Sequence, residues 1–107
     1  MTNFDKREEG FEKKFAMDEE SKFKAMARRN RLLGLWAAEK LGMSGDAATA
    51  YAKEVVAADF EQPGENDVVH KVTRDLTAKG IAITEAQLRA KMDELLAQAV
   101  AQVKAGT

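Results

Sequence analysis

Apolar positions recur every three or four residues along four stretches of this chain, and they never alternate long enough to mark a strand. The spacing predicts a first helix from about Asp18 to Leu41. Phe23, Ala27, Asn30, Gly34, Ala37 and Leu41 fall on one line of it. Leu32, Leu33, Leu35 and Trp36 surround that line, so the middle of the helix is apolar almost all round and is expected to be buried on several sides. Asp18, Glu19 and Glu20 suit the positive end of a helix dipole, and Gly42 suits a glycine stop. A second helix follows Ser44 as N-cap and ends near Phe60, with Ala48, Tyr51, Ala52, Val55 and Val56 as its apolar stripe. The cluster EQPGEN at 61–66 is a turn. A third helix runs from about Asp67 to Lys79, with Val69, Val72 and Leu76 inward and Gly80 ending it. In ITEAQL at 83–88, Thr84 and Gln87 have capping-box spacing, and Ile83 and Leu88 can form the hydrophobic staple. Leu88, Met92, Leu95, Leu96, Ala99 and Val103 then face the core of a fourth helix.

The connections are short, which favours antiparallel neighbours. The expected fold is therefore all-α, an antiparallel four-helix bundle in residues 18–107 preceded by an arm in 1–17. The stripes supply enough apolar side chains for a marginally stable domain, at roughly 1.5–3 kcal/mol for each large one. The arm is not needed for that core.

Composition narrows the class. The 107 residues are 45% hydrophobic and 33% charged with a net charge of −1, which describes a globular protein with a heavily charged exterior. There is no cysteine, which removes disulfides and thiolate metal sites. The longest apolar run, Leu32 to Ala38, is far shorter than the roughly 20 residues that span a bilayer. The N-terminus is charged where a signal peptide would be apolar, so a cytoplasmic location is expected, without direct membrane insertion.

The arm sets a puzzle. FDKREEGFEKKFAMDEE at 4–20 carries three of the five phenylalanines among dense charges of both signs. Phe4, Phe11 and Phe15 are spaced by seven and four, so on a helix they share one face, the pattern of helix-in-groove ligands. Gly10 weakens such a helix by roughly 1 kcal/mol relative to Ala. A peptide of this length is marginal alone. Two readings stay open on pattern. Either the arm fluctuates when free and folds on a partner, or it extends the first helix and packs on the bundle.

From Ser21 to Ala38 there is no acid, yet Lys22, Lys24, Arg28, Arg29 and Arg31 all fall there. The bland reading is a solvated helix face. The alternatives are a protein contact, nucleic acid, acidic lipid or a nucleotide phosphate. Nucleic acid usually brings a more basic domain. A membrane-surface helix would need the apolar face that the bundle requires. Trp36 and Tyr51 read as core, Tyr51 with its hydroxyl at the edge. His70 is the only histidine and reads as exposed; with no second His and no Cys, it has no partners for a metal site. Asp93 and Glu94 read as solvent-side. No base sits beside a nucleophile in the sequence, so enzymatic activity is not expected.

FEKKFAMDEESKFKAMARRNRLLGLWAAEKLG at 11–42 resembles the signature block of the zeta subunit family, the small inhibitor proteins of the alphaproteobacterial F-type ATP synthase. AYAKEVVAADFEQPGENDVVHKV at 50–72 and LRAKMDELLAQAV at 88–100 continue the likeness, which covers essentially the whole chain. Met17 stands where the family often has His, and Arg31 where Lys is common. The resemblance implies a four-helix bundle with a mobile N-terminal inhibitory segment; with no uncovered apolar stripe obvious in the sequence, the free chain is expected to be monomeric. That segment would insert at an α/β interface of the catalytic head, beside the central γ rotor, and block hydrolysis while permitting synthesis. Carried onto this sequence, the segment is about Met1–Ala16, with Phe4, Asp5, Arg7, Phe11, Lys14 and Phe15 as candidate contacts. For the basic stretch, Arg28 and Arg29 included, a second contact with the ATP synthase head then stands beside the default reading of a solvated face. No cofactor is required. Weak ATP or ADP binding has been linked to the family. The sequence has no Gly-rich phosphate loop for it, so it would have to be improvised from Arg28, Arg29 and nearby groups. The competing reading is a helical adaptor or nucleotide-sensing module that uses the basic first helix.

Overall fold

The fold is taken from a computed structural model, which describes residues 18–61 and 66–106. Among these residues every regular element is a helix: α1 Glu19–Lys40, α2 Gly45–Glu61, α3 Asn66–Ala78 and α4 Glu85–Lys104. The expected arm, 1–17, lies outside the described residues.

Local chemistry fixes the helix ends. Asp18 caps α1: its backbone is extended, and its Oδ1 accepts the Ser21 N–H at 2.7 Å. Glu19 and Glu20 add negative charge to the first turn. At α4 the capping box forms in both directions. Thr84 Oγ1 accepts the Gln87 N–H at 3.0 Å, and the Thr84 N–H donates to Gln87 Oε1 at 3.0 Å. α1 and α3 stop at glycines in the left-handed region, Gly42 at φ 81° and Gly80 at φ 83°. In each case the residue after the glycine reaches back five positions, Met43 N–H to Ala38 O at 2.8 Å and Ile81 N–H to Leu76 O at 2.9 Å. These are Schellman closures. The second also carries its hydrophobic contact, because Ile81 packs on the core cluster that contains Leu76.

α1 is the hub, touching each of the other three helices. The main core joins Leu33, Ala37 and Ala38 of α1 to Tyr51 and Val55 of α2, to Val68, Val69, Val72 and Leu76 of α3, and to Leu88, Met92 and Leu95 of α4. Each large side chain buried here stabilises the fold by about 1.5–3 kcal/mol. Gly34 lets α1 and α2 approach closely. A Cβ at that position would stand 2.5 Å from the Ala52 Cα. A smaller cluster of Ala25, Met26 and Val100, with Leu96 and Val103 against it, joins only the N-terminal half of α1 to the C-terminal half of α4.

That second cluster corrects the expected face of α1. Asn30, Gly34 and Ala37 are buried as the line required, but Phe23 is 59% exposed. In the first turns the buried residues are Lys22, Ala25, Met26 and Arg29, turned from the expected line toward α4. Trp36, expected in the core, is half-buried and packs on the core's edge.

Candidate functional site: the outer face of the first helix

The acid-free stretch of α1 divides among different faces once it is helical. Lys22 and Arg29 turn inward, 9% and 1% exposed. Arg29 donates from Nε and Nη2 to Asn30 Oδ1 at 3.0 and 2.9 Å. Its guanidinium therefore serves the interior of the fold. Lys24 is solvated and pairs with Glu20 one turn back at 3.3 Å. Arg28, Arg31, Leu32 and Leu35 share the remaining outward line, at spacings of three, one and three.

This line borders a cleft between α1 and α4. Arg28, Arg31, Leu32 and Gln102 enclose about 390 Å³. Arg28 is half-buried and donates from Nη1 to Gln102 Oε1 at 3.4 Å, across 74 residues of sequence. Arg31 is exposed, with no ion pair to a carboxylate among the described residues. Toward α4, the half-buried Trp36 ring has two ammonium groups near it, Lys40 Nζ at 5.1 Å and Lys91 Nζ at 5.7 Å from its centroid. The outer side of α1 thus presents basic groups and partly covered apolar side chains together.

A second polar cleft, of about 530 Å³, separates α2 and α3 and includes Glu54, Asp67, His70, Lys71 and Arg74 in its lining. His70 is exposed, as the sequence indicated. Beside this cleft the Tyr51 hydroxyl donates to Asp75 Oδ2 at 2.8 Å, and Lys71 Nζ reaches the same oxygen at 3.2 Å. Lys71 also stands 5.1 Å from the Tyr51 ring centroid. Burial pushes the Tyr51 hydroxyl well above its usual range, and the Asp75 carboxylate adds to the shift. For Asp75, partial burial works upward. The hydrogen bonds from Tyr51 and Lys71 and the nearby positive charges outweigh it, and the net shift is downward. Both carboxylates and cations line this cleft, and it reads as a solvated seam held by that network.

The structure places the sequence-predicted site residues in three settings. Phe4, Asp5, Arg7, Phe11, Lys14 and Phe15 lie outside the described residues. Arg28 stands on the outer cleft. Arg29, its expected companion, is buried one helical step away. Neighbours in a helix sequence are about 100° apart, so Arg28 pairs on the surface with Arg31 instead. That spacing was readable. Gln102 was not, since nothing local links it to position 28.

No helix among the described residues is long and apolar enough to cross a membrane. What they define is a small all-helical protein whose most chemically loaded feature is an outward surface on its first helix. The family model described as ATPase inhibitor subunit zeta matches residues 1–102, and the chain belongs to that family. A solution NMR structure of a protein matches the fold with a TM-score of 0.69 at 55% sequence identity, covering 79% of this chain and 96% of that one. A search of curated proteins finds no match. Family membership associates the chain with an ATP synthase in an inhibitory role.

Proposed function

We propose that this chain is a regulatory subunit that binds the catalytic head of the F-type ATP synthase and blocks ATP hydrolysis by inserting its N-terminal arm, about Met1–Ala16, near the rotor. The observation that carries this reading is the family match, which begins at residue 1 and so includes the arm. The chemistry of the arm supports it. Phe4, Phe11 and Phe15 would fill apolar pockets of the partner. Asp5, Arg7 and Lys14 would pair across a polar rim. Folding on the partner costs ordering entropy and tempers affinity, so a rigid helical body that adds contacts is of use.

We read that body as an antiparallel bundle. Pairs across α1 and α4 run in opposite chain directions, Arg28 with Gln102 and Trp36 with Lys91, which supports the arrangement. The site of action would be the cytoplasmic side of the membrane, reached through the synthase.

The test is ATP hydrolysis by the purified catalytic head, titrated with the full chain and with a full-length variant carrying Phe4→Ser, Phe11→Ser and Phe15→Ser. Inhibition by the parent chain and its loss in the variant are expected. Equal inhibition by both would move the active surface to the bundle. No inhibition by the parent chain would refute the reading.

A further inference from the structure

We infer that the outer line of α1, formed by Arg28, Arg31, Leu32 and Leu35 and continued sideways by Trp36, docks an acidic amphipathic helix of the ATP synthase head, as a contact separate from the arm. The inference rests on the proposed function for the identity of the partner.

Charge is the first argument. Arg28 meets only the neutral Gln102 amide in its described hydrogen bonding, and Arg31 has no carboxylate at ion-pair distance among the described residues. The nearby Lys24, by contrast, is matched within the chain by Glu20. Among the described residues, then, two guanidiniums three residues apart on one outward line meet no carboxylate. Planar guanidinium forks suit carboxylates, which they can grip through two parallel N–H···O bonds.

Apolar cover is the second argument. Leu32 lies in the same cleft as the two arginines and is only partly buried. Leu35 is half-buried and belongs to neither core cluster nor to the side chains packed on them. Trp36 is half-buried, with Lys40 and Lys91 near its ring. The line from Arg28 to Trp36 is about 12 Å long at 1.5 Å per residue, or two turns of a partner helix. Such a helix would place apolar residues on Leu32 and Leu35 and its carboxylates beside Arg28 and Arg31.

A phosphate ligand fits less well. Arg28 to Leu35 sit in the interior of α1, where the backbone N–H groups are spent on the helix, so no helix N-terminus or backbone nest faces the cleft. Its donors are side chains alone, with Leu32 beside them.

The experiment titrates inhibition of the purified catalytic head with four full-length chains at low and high salt. These are the parent chain, Arg31→Glu, the double variant Arg28→Gln/Arg31→Glu, and Lys53→Glu, which makes the charge change of Arg31→Glu at an exposed position on α2. Arg31 is exposed, so its single variant keeps the fold, and circular dichroism checks each chain. We expect the concentration for half-inhibition to rise about tenfold for the double variant and less for Arg31→Glu, the rise shrinking at high salt as the contact is screened. Lys53→Glu should titrate like the parent, and full inhibition should still be reached by every chain. If both arginine variants titrate like Lys53→Glu while the parent inhibits, the inference is overturned and the proposed function stands. If the parent does not inhibit, both fall. Each chain is also titrated with ATP alone. Loss of ATP binding in the double variant with unchanged titration of the head would overturn the inference in favour of a phosphate site.

Discussion

The Tyr51 hydroxyl donates to Asp75 Oδ2 at 2.8 Å, tying α2 to α3. Tyr51→Phe keeps the ring and removes the donor, and should cost about 1 kcal/mol, read as a lower urea midpoint with an unchanged slope. The pH dependence has a definite sign. Asp75 has a folded pKa below its ordinary value, so its contribution is present above about pH 4 and is lost as pH falls through the folded value. In Tyr51→Phe the acid-side loss of stability should be shallower. A variant with the parent's full acid-side slope would show that the bond does not hold Asp75 down.

Tyr51 shifts the other way. Its folded pKa is raised, so its contribution is present below the unfolded value near 10 and is lost as pH rises toward the folded one. It is the only tyrosine in the chain, so phenolate absorbance reports it alone. The folded protein should show no phenolate at pH values near 10, and the signal should appear only with unfolding. An ordinary titration in the folded state would contradict the buried, hydrogen-bonded hydroxyl.

Gly34→Ala pits two effects against each other. Alanine gains about 1 kcal/mol of helix propensity. The new Cβ would meet the Ala52 Cα at 2.5 Å, and that is backbone, which cannot swing aside. Overpacking of this kind costs about 1–3 kcal/mol, and the clash should win. The thermal midpoint should fall, and Ala52→Gly should not restore it, because the obstructing atom remains.

Thr73 Oγ1 is buried without a hydrogen-bond partner among the described residues. Thr73→Val replaces the hydroxyl by a methyl group of similar shape and should raise stability by about 1 kcal/mol, the cost of an unmatched polar group. A loss of stability in urea unfolding would mean that the hydroxyl is satisfied in solution.

Trp36, the single tryptophan, offers a probe of the outer face. Lys40 and Lys91 should concentrate anions beside the half-buried ring. Iodide should therefore quench its fluorescence more than caesium does, and Lys40→Gln with Lys91→Gln should narrow the difference.

Helix ends and the inner residues of the short helices were legible because their signals are local. Asp18, Thr84 with Gln87, Gly42 and Gly80 act within a few residues, and Val69, Val72 and Leu76 face inward as their spacing required. The faces of α1 were harder. A periodic line fixes relative angles on a helix but not which neighbours cover it at each level. At Phe23 the covering helix is α4, on a different side from the line drawn through Gly34, so the ring is exposed and Arg29 is buried instead. The Arg28–Gln102 contact depends on how α1 and α4 meet, which no local pattern encodes.

The smaller cluster of Ala25, Met26 and Val100 has a mechanical consequence. A force applied through residue 17 enters α1 at the end that, among the described residues, the smaller cluster joins to α4 alone. The first turns can yield there while the larger cluster around Leu33, Val72 and Leu88 stays closed. If the arm is held by a partner as proposed, strain between it and the helical body would be absorbed in those first turns before it reached the main core.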